Sequence, residues 1–282
     1  MIAYRDLTAH DELAAVVELE RQIWGPGYDD VVPAPILTVT VKRGGILIGA
    51  FDGVRMVGFV YSLPVLKNGR PAQWSHMLGV AEDFRNAGVG HRLKLLQRER
   101  ALGMAVDLIE WTFDPLQALN AHLNFRKLGV VVEEYEENVY GQSTSPLHRG
   151  NPTDRFVAEW RIREPRVAER LSGARGGAQG GSPPVPPGPH DVAEARPVNR
   201  VAGGGGDLQE CVDVDLDLET PRVMVEIPTG FTGMLSRAPA LALDWRMTTR
   251  RIFTTYFARG YHAVEFLLDR AAAKGTYLLV RS

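Results

Sequence analysis

The chain has 282 residues, of which 45% are hydrophobic and 23% charged, as in an ordinary globular protein. Its formal net charge of −2 gives no general attraction to nucleic acid or to an anionic membrane, and we expect neither partner. The sequence contains no run of about 18 apolar residues, which a membrane-spanning helix needs. We therefore expect a cytoplasmic protein.

The cysteine and histidine content predicts neither a disulfide nor a metal site. Cys211 is the only cysteine, so it cannot form an internal disulfide. The seven histidines show no HxxxH, HxH or comparable ligand spacing. We expect no metal, and we favour chemistry without a covalent enzyme intermediate.

Composition changes abruptly in the middle of the chain. Residues 166–207 are rich in glycine and proline and include the run SPPVPPGP. Such a segment holds too few apolar side chains to offset the entropy lost on ordering it. We predict a linker over 166–207, between a first domain at 1–165 and a C-terminal module at 208–282.

The first domain alternates between strand and helix patterns. Thr8 and Asp11 predict a capping box for a first helix, which ends at Gly25-Pro26-Gly27, and Asp52-Gly53 predicts a hairpin. Strands are predicted at 2–5, 46–51, 56–63, 72–80, 106–113, 130–140 and 156–162, and later helices at 89–102 and 117–128. The order is βα(α)βββαβαββ. The C-terminal module is predicted as βαββ, with strands at 222–227, 261–268 and 276–280 and a helix at 241–259.

The helix at 89–102 is predicted to be amphipathic. Its buried stripe consists of Val89, Leu93 and Leu96. Its charged side chains are assigned to the face in contact with water, and these are Arg92, Lys94, Arg98 and Arg100.

A glycine-rich turn opens this helix, with the pattern Arg85-x-x-Gly88-x-Gly90. Unpaired backbone N–H groups and the helix dipole make such a turn an anion site, and glycine lets the backbone approach a pyrophosphate. A dinucleotide fold needs a third glycine where Leu93 stands, and a nucleotide-triphosphate loop needs Gly-Lys-Ser/Thr. A plain turn before a surface helix is the structural alternative.

The segment His76-Met77-Leu78-Gly79-Val80 resembles the central strand of the GNAT superfamily of N-acetyltransferases, and Arg85 to Gly90 resembles its pyrophosphate loop. WTFDPLQALNAHLN, NVYG, SPLHRGNPTDR and ALDWRMTTRRIFTTYFARGY resemble a subgroup of large predicted acetyltransferases. The resemblance implies an α/β fold, with a mixed sheet flanked by helices and a small C-terminal βαββ module.

The resemblance also implies a function, the transfer of an acetyl group from acetyl-CoA to a small amine or amino acid by direct attack on the thioester. Backbone groups near Leu78 and Val80 are implied to bind the pantetheine arm, and Asn120 to lie near the arm or the thiol. The pyrophosphate is implied to be held by the loop, with Arg85 adding charge to the N–H groups of Asn86, Ala87, Gly88, Val89 and Gly90.

Proton transfer is harder to assign. In many members of the superfamily a tyrosine protonates the leaving thiolate. This chain has Phe125 at that position, so the usual general acid is absent. We predict Tyr140 as the replacement, since it closes a strand, and His76 as the base, on the same strand face as Leu78. Glu110 is a further candidate carboxylate. A structural role is the alternative for each of these residues.

Two rival functions remain open from the sequence. The first is N-succinylation of an amino acid with succinyl-CoA, which resemblance to proteins linked to N-succinylamino-acid metabolism implies. The second is a non-catalytic acyl-CoA-binding or regulatory module, which the loss of the usual acid at Phe125 favours. Arg246 and Arg250 share one helix face, which predicts either a lid that recognises a carboxylate or a docking or homodimer surface.

Overall fold

The computed structural model describes residues 1–25, 30–141, 150–175, 194–203 and 208–281. The described residues form two compact units, one from Met1 to Trp111 and one from Thr112 onward. Each unit contains a mixed sheet flanked by helices, so the predicted α/β class is confirmed.

The sheet of the first unit contains β1 (Ile2–Asp6), β2 (Ile46–Asp52), β3 (Arg55–Lys67), β4 (Arg70–Val80) and the start of β5 (Leu108–Phe113), in that order. Neighbouring strands are antiparallel except for β4 and β5, which are parallel. The predicted hairpin joins β2 to β3. Each strand lies within a few residues of its predicted position, because alternation and turn residues specify it locally.

Helices cover both faces of this sheet. Side chains of α1 (His10–Trp24) and α2 (Ala34–Lys42) pack with Phe59, Tyr61 and Met77 in one hydrophobic core. On the opposite face, α3 (Val89–Gly103) places Val89 within 3.3 Å of an ideal Cβ position on Gly58 of β3.

The capping box of α1 was predicted for Thr8 and Asp11, and the structure places it one residue later. The helix begins at His10, so its N-cap residue is Ala9, which has no side-chain acceptor. The side chain of Glu12 instead accepts hydrogen bonds from the backbone N–H groups of Thr8 and Ala9, both at 3.0 Å. Gly25 ends the helix as predicted, with a positive φ of 95°.

The sheet of the second unit has the order β7-β6-β12-β13-β11-β8. These strands are β6 (Val131–Glu136), β7 (Arg155–Arg161), β8 (Arg196–Pro197), β11 (Arg222–Pro228), β12 (Tyr261–Asp269) and β13 (Lys274–Arg281), and β9 (Arg200–Ala202) pairs separately with β10 (Glu210–Val212). The helices are α4 (Ala118–Ala121), the π-helix His122–Leu128 that continues it, α5 (Pro165–Arg175), α6 (Phe231–Arg237) and α7 (Pro239–Ala258).

The chain organisation differs from the prediction in several details. Part of the predicted linker 166–207 is ordered, because α5 begins at Pro165 and buries Val167, and β8 and β9 follow. Residues 176–193 and 204–207, which give the segment much of its glycine and proline, lie outside the described residues. The C-terminal module contains one helix, α6, that the predicted βαββ order lacked. Its strand β12 pairs with β6 through Ala263 and Val132. The proposed domain boundaries stay a prediction.

One acidic side chain lies inside the core of the first unit. Glu20 of α1 is fully buried, and its Oε2 accepts a hydrogen bond from the backbone N–H of Val32 at 2.9 Å. Burial raises the pKa of this carboxyl to about 7, although the Val32 hydrogen bond opposes the shift. The unfolded chain loses this proton near its ordinary pKa of 4.5.

Replacement of Glu20 by glutamine should therefore change the pH dependence of stability. Because the folded state holds the proton more tightly, Glu20 lowers the free energy of unfolding as pH rises from about 4.5 to about 7, by roughly 3 kcal/mol in total. Glu20→Gln keeps an acceptor for Val32 and does not titrate. Urea unfolding should find the variant increasingly more stable than the native protein between pH 5 and pH 8.

The matched control is Glu18→Gln on the same helix, where the side chain is 63% exposed. The free energy of unfolding of Glu18→Gln should change with pH in the same way as that of the native protein. If the free energy of unfolding of Glu20→Gln also changes with pH as in the native protein, Glu20 does not titrate in this range.

Candidate functional site

The parallel ladder between β4 and β5 is short. It pairs Gln73 with Ile109 and Trp74 with Glu110, whereas β4 continues to Val80. Beyond these pairs, no ladder joins the part of β4 after Trp74 to β5 among the described residues. An unpaired strand segment is the feature that the pantetheine prediction requires, and here it runs from Ser75 to Val80.

A β-bulge changes which face of β4 each side chain occupies. Tyr61 of β3 pairs with Met77 and Ser62 pairs with Ser75, so His76 is the extra residue. The ring of His76 meets that of Tyr61 edge-on, with centroids 6.0 Å apart, on the α1–α2 face. Leu78 and Val80 face α3, since each places a methyl group 3.6 Å from an ideal Cβ position on Gly90. The prediction that His76 and Leu78 share a face is therefore wrong, because a bulge resets the alternation.

The glycine-rich turn has the backbone of an anion-binding loop. After a 3₁₀ turn at Glu82–Phe84, Asn86 adopts a φ of 63° and Gly88 a φ of 81°. Gly88 is the N-cap of α3, and among the described residues no side chain caps this helix end. An ideal Cβ on Gly88 meets nothing within 4 Å, so there is room above the loop. Residues 85–88 are exposed, which leaves the unpaired N–H groups of the first turn open to an anion.

Two arginines flank this loop. The Arg85 side chain is exposed, and its Nε donates to the carbonyl oxygen of Val80 at 3.3 Å. Arg92 lies one turn into α3, where its Nη1 is 3.8 Å from Glu99 Oε1. An exposed pair at that distance is weak, so the Arg92 guanidinium group can turn to a phosphate.

The environment of His76 suits a neutral base. His76 is an exposed residue, but neighbouring side chains exclude part of the water around its ring. This desolvation lowers the pKa of His76 below its usual value. The imidazole is therefore uncharged at neutral pH, which leaves one ring nitrogen free to accept a proton.

Glu110 has a different environment from the one expected of a base. It is 4% exposed and lies 2.8 Å from the ammonium group of Lys67, at the end of β3. The contact favours the structural alternative for Glu110.

The largest departure from the sequence prediction concerns Lys94. Instead of pointing to water with Arg92 and Arg100, it is 2% exposed and faces the sheet. Its Nζ donates to Ser75 Oγ at 2.8 Å and to Gln97 Oε1 at 3.1 Å, and it lies 3.5 Å from the centroid of the Trp111 ring. Burial lowers the pKa of Lys94 well below its usual value.

The second unit contains the other two predicted site residues. Tyr140 does not close a strand, because β6 ends at Glu136 and Tyr140 lies in the following turn. Its hydroxyl is 3.1 Å from Thr112 Oγ1 of β5, and its backbone N–H donates to Thr153 Oγ1 at 2.9 Å. The phenol is 52% exposed and so accessible to a substrate. Asn120 is exposed on α4.

Phe125 is a core residue in this structure. It is fully buried, and its ring contacts Phe113 and Tyr277 with centroids 6.2 and 5.7 Å apart. The side chain at the position of the usual acid therefore serves packing within the second unit.

The two arginines of α7 bind carboxylates of their own chain. Arg246 is 1% exposed and lies 2.6 Å from Asp114, and Arg250 makes two hydrogen bonds to Asp154 at 2.8 and 2.6 Å. Burial alone would raise the pKa of Asp114, but Arg246 outweighs it and the pKa is lowered. Asp114 also accepts from the backbone N–H of Leu116 at 2.8 Å, as expected of a turn before a helix. These contacts favour an internal packing role for α7.

Other chemistries gain no support from the described part of the chain. Burial raises the pKa of Cys211 to about 11, so this thiol is protonated at neutral pH and is a poor nucleophile. Among the described residues no cluster of three histidine, cysteine or carboxylate side chains could hold a metal ion. None of the described helices is long and apolar enough to span a membrane.

Comparison with known proteins finds neither a matching family model nor a matching curated protein. Solved structures do match. An acetyltransferase of the GNAT family from Streptococcus pneumoniae is 14% identical, with 56% of this chain and 98% of that chain covered and a TM-score of 0.45. The ribosomal-protein-S18-alanine N-acetyltransferase from Escherichia coli is 14% identical, with coverage of 57% and 94% and a TM-score of 0.46.

A third structure is the PaiA N-acetyltransferase from Thermoplasma acidophilum in complex with coenzyme A, 15% identical, with coverage of 57% and 99% and a TM-score of 0.42. The structural neighbours of this chain are thus GNAT-family acetyltransferases, matched over about 56% of its length.

Proposed function

We propose that this chain is an acyl-CoA-dependent N-acyltransferase acting on a small amine or amino acid. The observation that carries the proposal is the uncapped, glycine-rich start of α3 at the end of β4, whose ladder with β5 stops at Trp74 and Glu110. This pairing of an anion loop with an open strand edge suits a ligand that has a pyrophosphate at one end and an amide-containing arm at the other. Acyl-CoA is such a ligand.

The proposed binding contacts come from the backbone. The N–H groups of the first turn of α3 bind the pyrophosphate, with Arg85 and Arg92 adding charge. The edge of β4 near Leu78 and Val80 pairs with the amides of the arm, as a strand would. A backbone N–H left free by the short ladder polarises the acyl carbonyl, where oxyanion charge develops.

Two side chains are proposed to move protons. The neutral His76 accepts the proton that the amine loses as it attacks the acyl carbon. Tyr140 is proposed to protonate the leaving thiolate, since its exposed hydroxyl hydrogen-bonds to Thr112 of β5. Asn120 stays a predicted contact of the arm or the thiol.

Binding at the loop is tested with an isosteric pair at Gly88. Asparagine and aspartate both tolerate the left-handed backbone of this position better than other side chains, and they differ only in charge. Gly88→Asp should reduce acetyl-CoA affinity far more than Gly88→Asn, because its carboxylate faces the pyrophosphate. The measurement is calorimetric titration of each purified variant.

A control places the same charge on the same helix but away from the loop. Gly103 ends α3, is exposed, and has open space around its ideal Cβ position, so Gly103→Asp should bind like the native protein. Equal losses for the two Gly88 variants would mean that the loop does not hold the phosphates. If the native protein binds no CoA thioester, the transferase proposal is wrong.

The pH profile of turnover tests the proton carriers. His76→Gln should lower kcat/KM by about 10² to 10⁴ and remove the acidic limb of its profile, since glutamine cannot accept the proton. Tyr140→Phe should lower kcat, with Tyr4→Phe on β1 as a control that leaves the rate unchanged. If His76→Gln keeps the native pH profile of kcat/KM, His76 is not the base. If Tyr140→Phe keeps the native kcat, Tyr140 is not the acid.

A protein that binds acyl-CoA but acylates none of the amines tested would favour the non-catalytic acyl-CoA-binding module.

A further inference from the structure

The turn that carries Tyr140 depends on polar contacts for its conformation. All residues of this turn, 137–141, are exposed, so no buried side chain of its own fixes it. Asn138 has a φ of 47°, a left-handed conformation that persists where surrounding contacts support it. The position of the Tyr140 hydroxyl beside Thr112 therefore depends on what the backbone of the turn binds.

A buried segment, Thr153 to Arg155, supplies those contacts. Thr153 Oγ1 accepts a hydrogen bond from the backbone N–H of Tyr140 at 2.9 Å, and Asp154 Oδ1 accepts one from the backbone N–H of Asn138 at 3.0 Å. The Cζ atom of Arg155 lies 5.2 Å from the centroid of the Tyr140 ring, within cation–π range. The segment thus contacts both the backbone of the turn and the ring of its tyrosine.

Asp154 depends on Arg250 of α7 for its charge and its orientation. Its fully buried carboxylate accepts hydrogen bonds from Arg250 at 2.8 and 2.6 Å and from the Tyr135 hydroxyl at 2.5 Å. Burial raises the pKa of Asp154, but these hydrogen bonds outweigh burial and the pKa is lowered. Arg250 Nη1 also lies 3.0 Å from Glu137 Oε2. One guanidinium group of the C-terminal module therefore binds both the buried segment and the first residue of the turn.

We propose that Arg250 is a positioning residue for Tyr140, so that the C-terminal module takes part in acyl transfer without touching the substrate. This inference rests on the proposed role of Tyr140 as the proton donor. Arg250 orients Asp154, Asp154 binds the turn at Asn138, and the turn positions the phenol for protonation of the thiolate. A proton donor has to lie within hydrogen-bond reach of its acceptor, and a displacement of about 1 Å can lower a rate about 10²-fold.

Amide hydrogen exchange, followed by NMR, tests the structural part of the proposal without a substrate. In the native protein the backbone N–H groups of Asn138 and Tyr140 should exchange slowly although both residues are exposed, because both groups are hydrogen-bonded. Arg250→Gln should raise both exchange rates at least about tenfold, since the turn then opens more often. Arg251→Gln, which removes an exposed charge from the next position of α7, should keep the native rates.

Steady-state kinetics with acetyl-CoA and an amine that the native protein acylates test the link to the reaction. Arg250→Gln should lower kcat by about 10- to 100-fold, because the proton donor is misplaced. It should leave the Kd of acetyl-CoA unchanged, because the proposed CoA contacts lie in the first unit. In the Tyr140→Phe background, Arg250→Gln should change kcat by less than about twofold, since the group that Arg250 positions is already absent.

A variant that retains the charge covers a failure of Arg250→Gln to fold. That substitution leaves the buried carboxylate of Asp154 without its cationic partner, which is strongly destabilising. Arg250→Lys keeps a positive charge there but lacks the planar group that makes two hydrogen bonds to Asp154 and also reaches Glu137. It takes the place of Arg250→Gln in both measurements, with the same direction of change and a smaller one.

The outcomes distinguish this inference from the proposed function. Native exchange rates in the Arg250 variant, or an equal loss of kcat with and without the Tyr140 hydroxyl, would overturn the positioning role and leave the transferase proposal standing. A native kcat in Tyr140→Phe would overturn the role of Tyr140 and that of Arg250 with it. If the native protein acylates none of the amines tested, the transferase proposal and the positioning role are both wrong.

Discussion

The early end of the ladder between β4 and β5 is the constraint on which the candidate site depends. A strand whose neighbour stops pairing exposes backbone N–H and C=O groups, and such groups need partners. An extended ligand with its own amides can supply them. The bulge at His76 lies just past the last pair, so the same stretch of β4 presents a histidine to the α1–α2 face and Leu78 and Val80 to α3.

Much of the fold was predictable because it is specified locally. Alternating apolar residues, the Asp52-Gly53 turn and the helix-ending Gly129 predicted β2, β3 and the π-helical segment within a few residues. The bulge was not predictable in this way, since residues 72–80 show no glycine or proline at the point of insertion. One extra residue reverses the face of all those before it, and this is why His76 was placed on the wrong side.

Lys94 shows how a charge-based prediction can fail. A lysine on an amphipathic helix was assigned to water, although Lys94, Gln97 and Ala101 follow one another at spacings of three and four, the spacing of a buried stripe. All three are buried. The polar partner that makes this burial tolerable, Ser75, lies 19 residues away on β4, and contacts at that separation are not visible in a helical pattern. The short elements β8, β9 and β10 were missed for the same reason, because they are defined by pairing and not by period.

Affinity and selectivity have different sources in the proposed function. The proposed phosphate contacts at the start of α3 involve a part that every CoA thioester carries, so they cannot discriminate among acyl groups. Selectivity for the acyl group therefore has to come from side chains near the last ladder pair, Trp74 with Glu110, where thioesters differ.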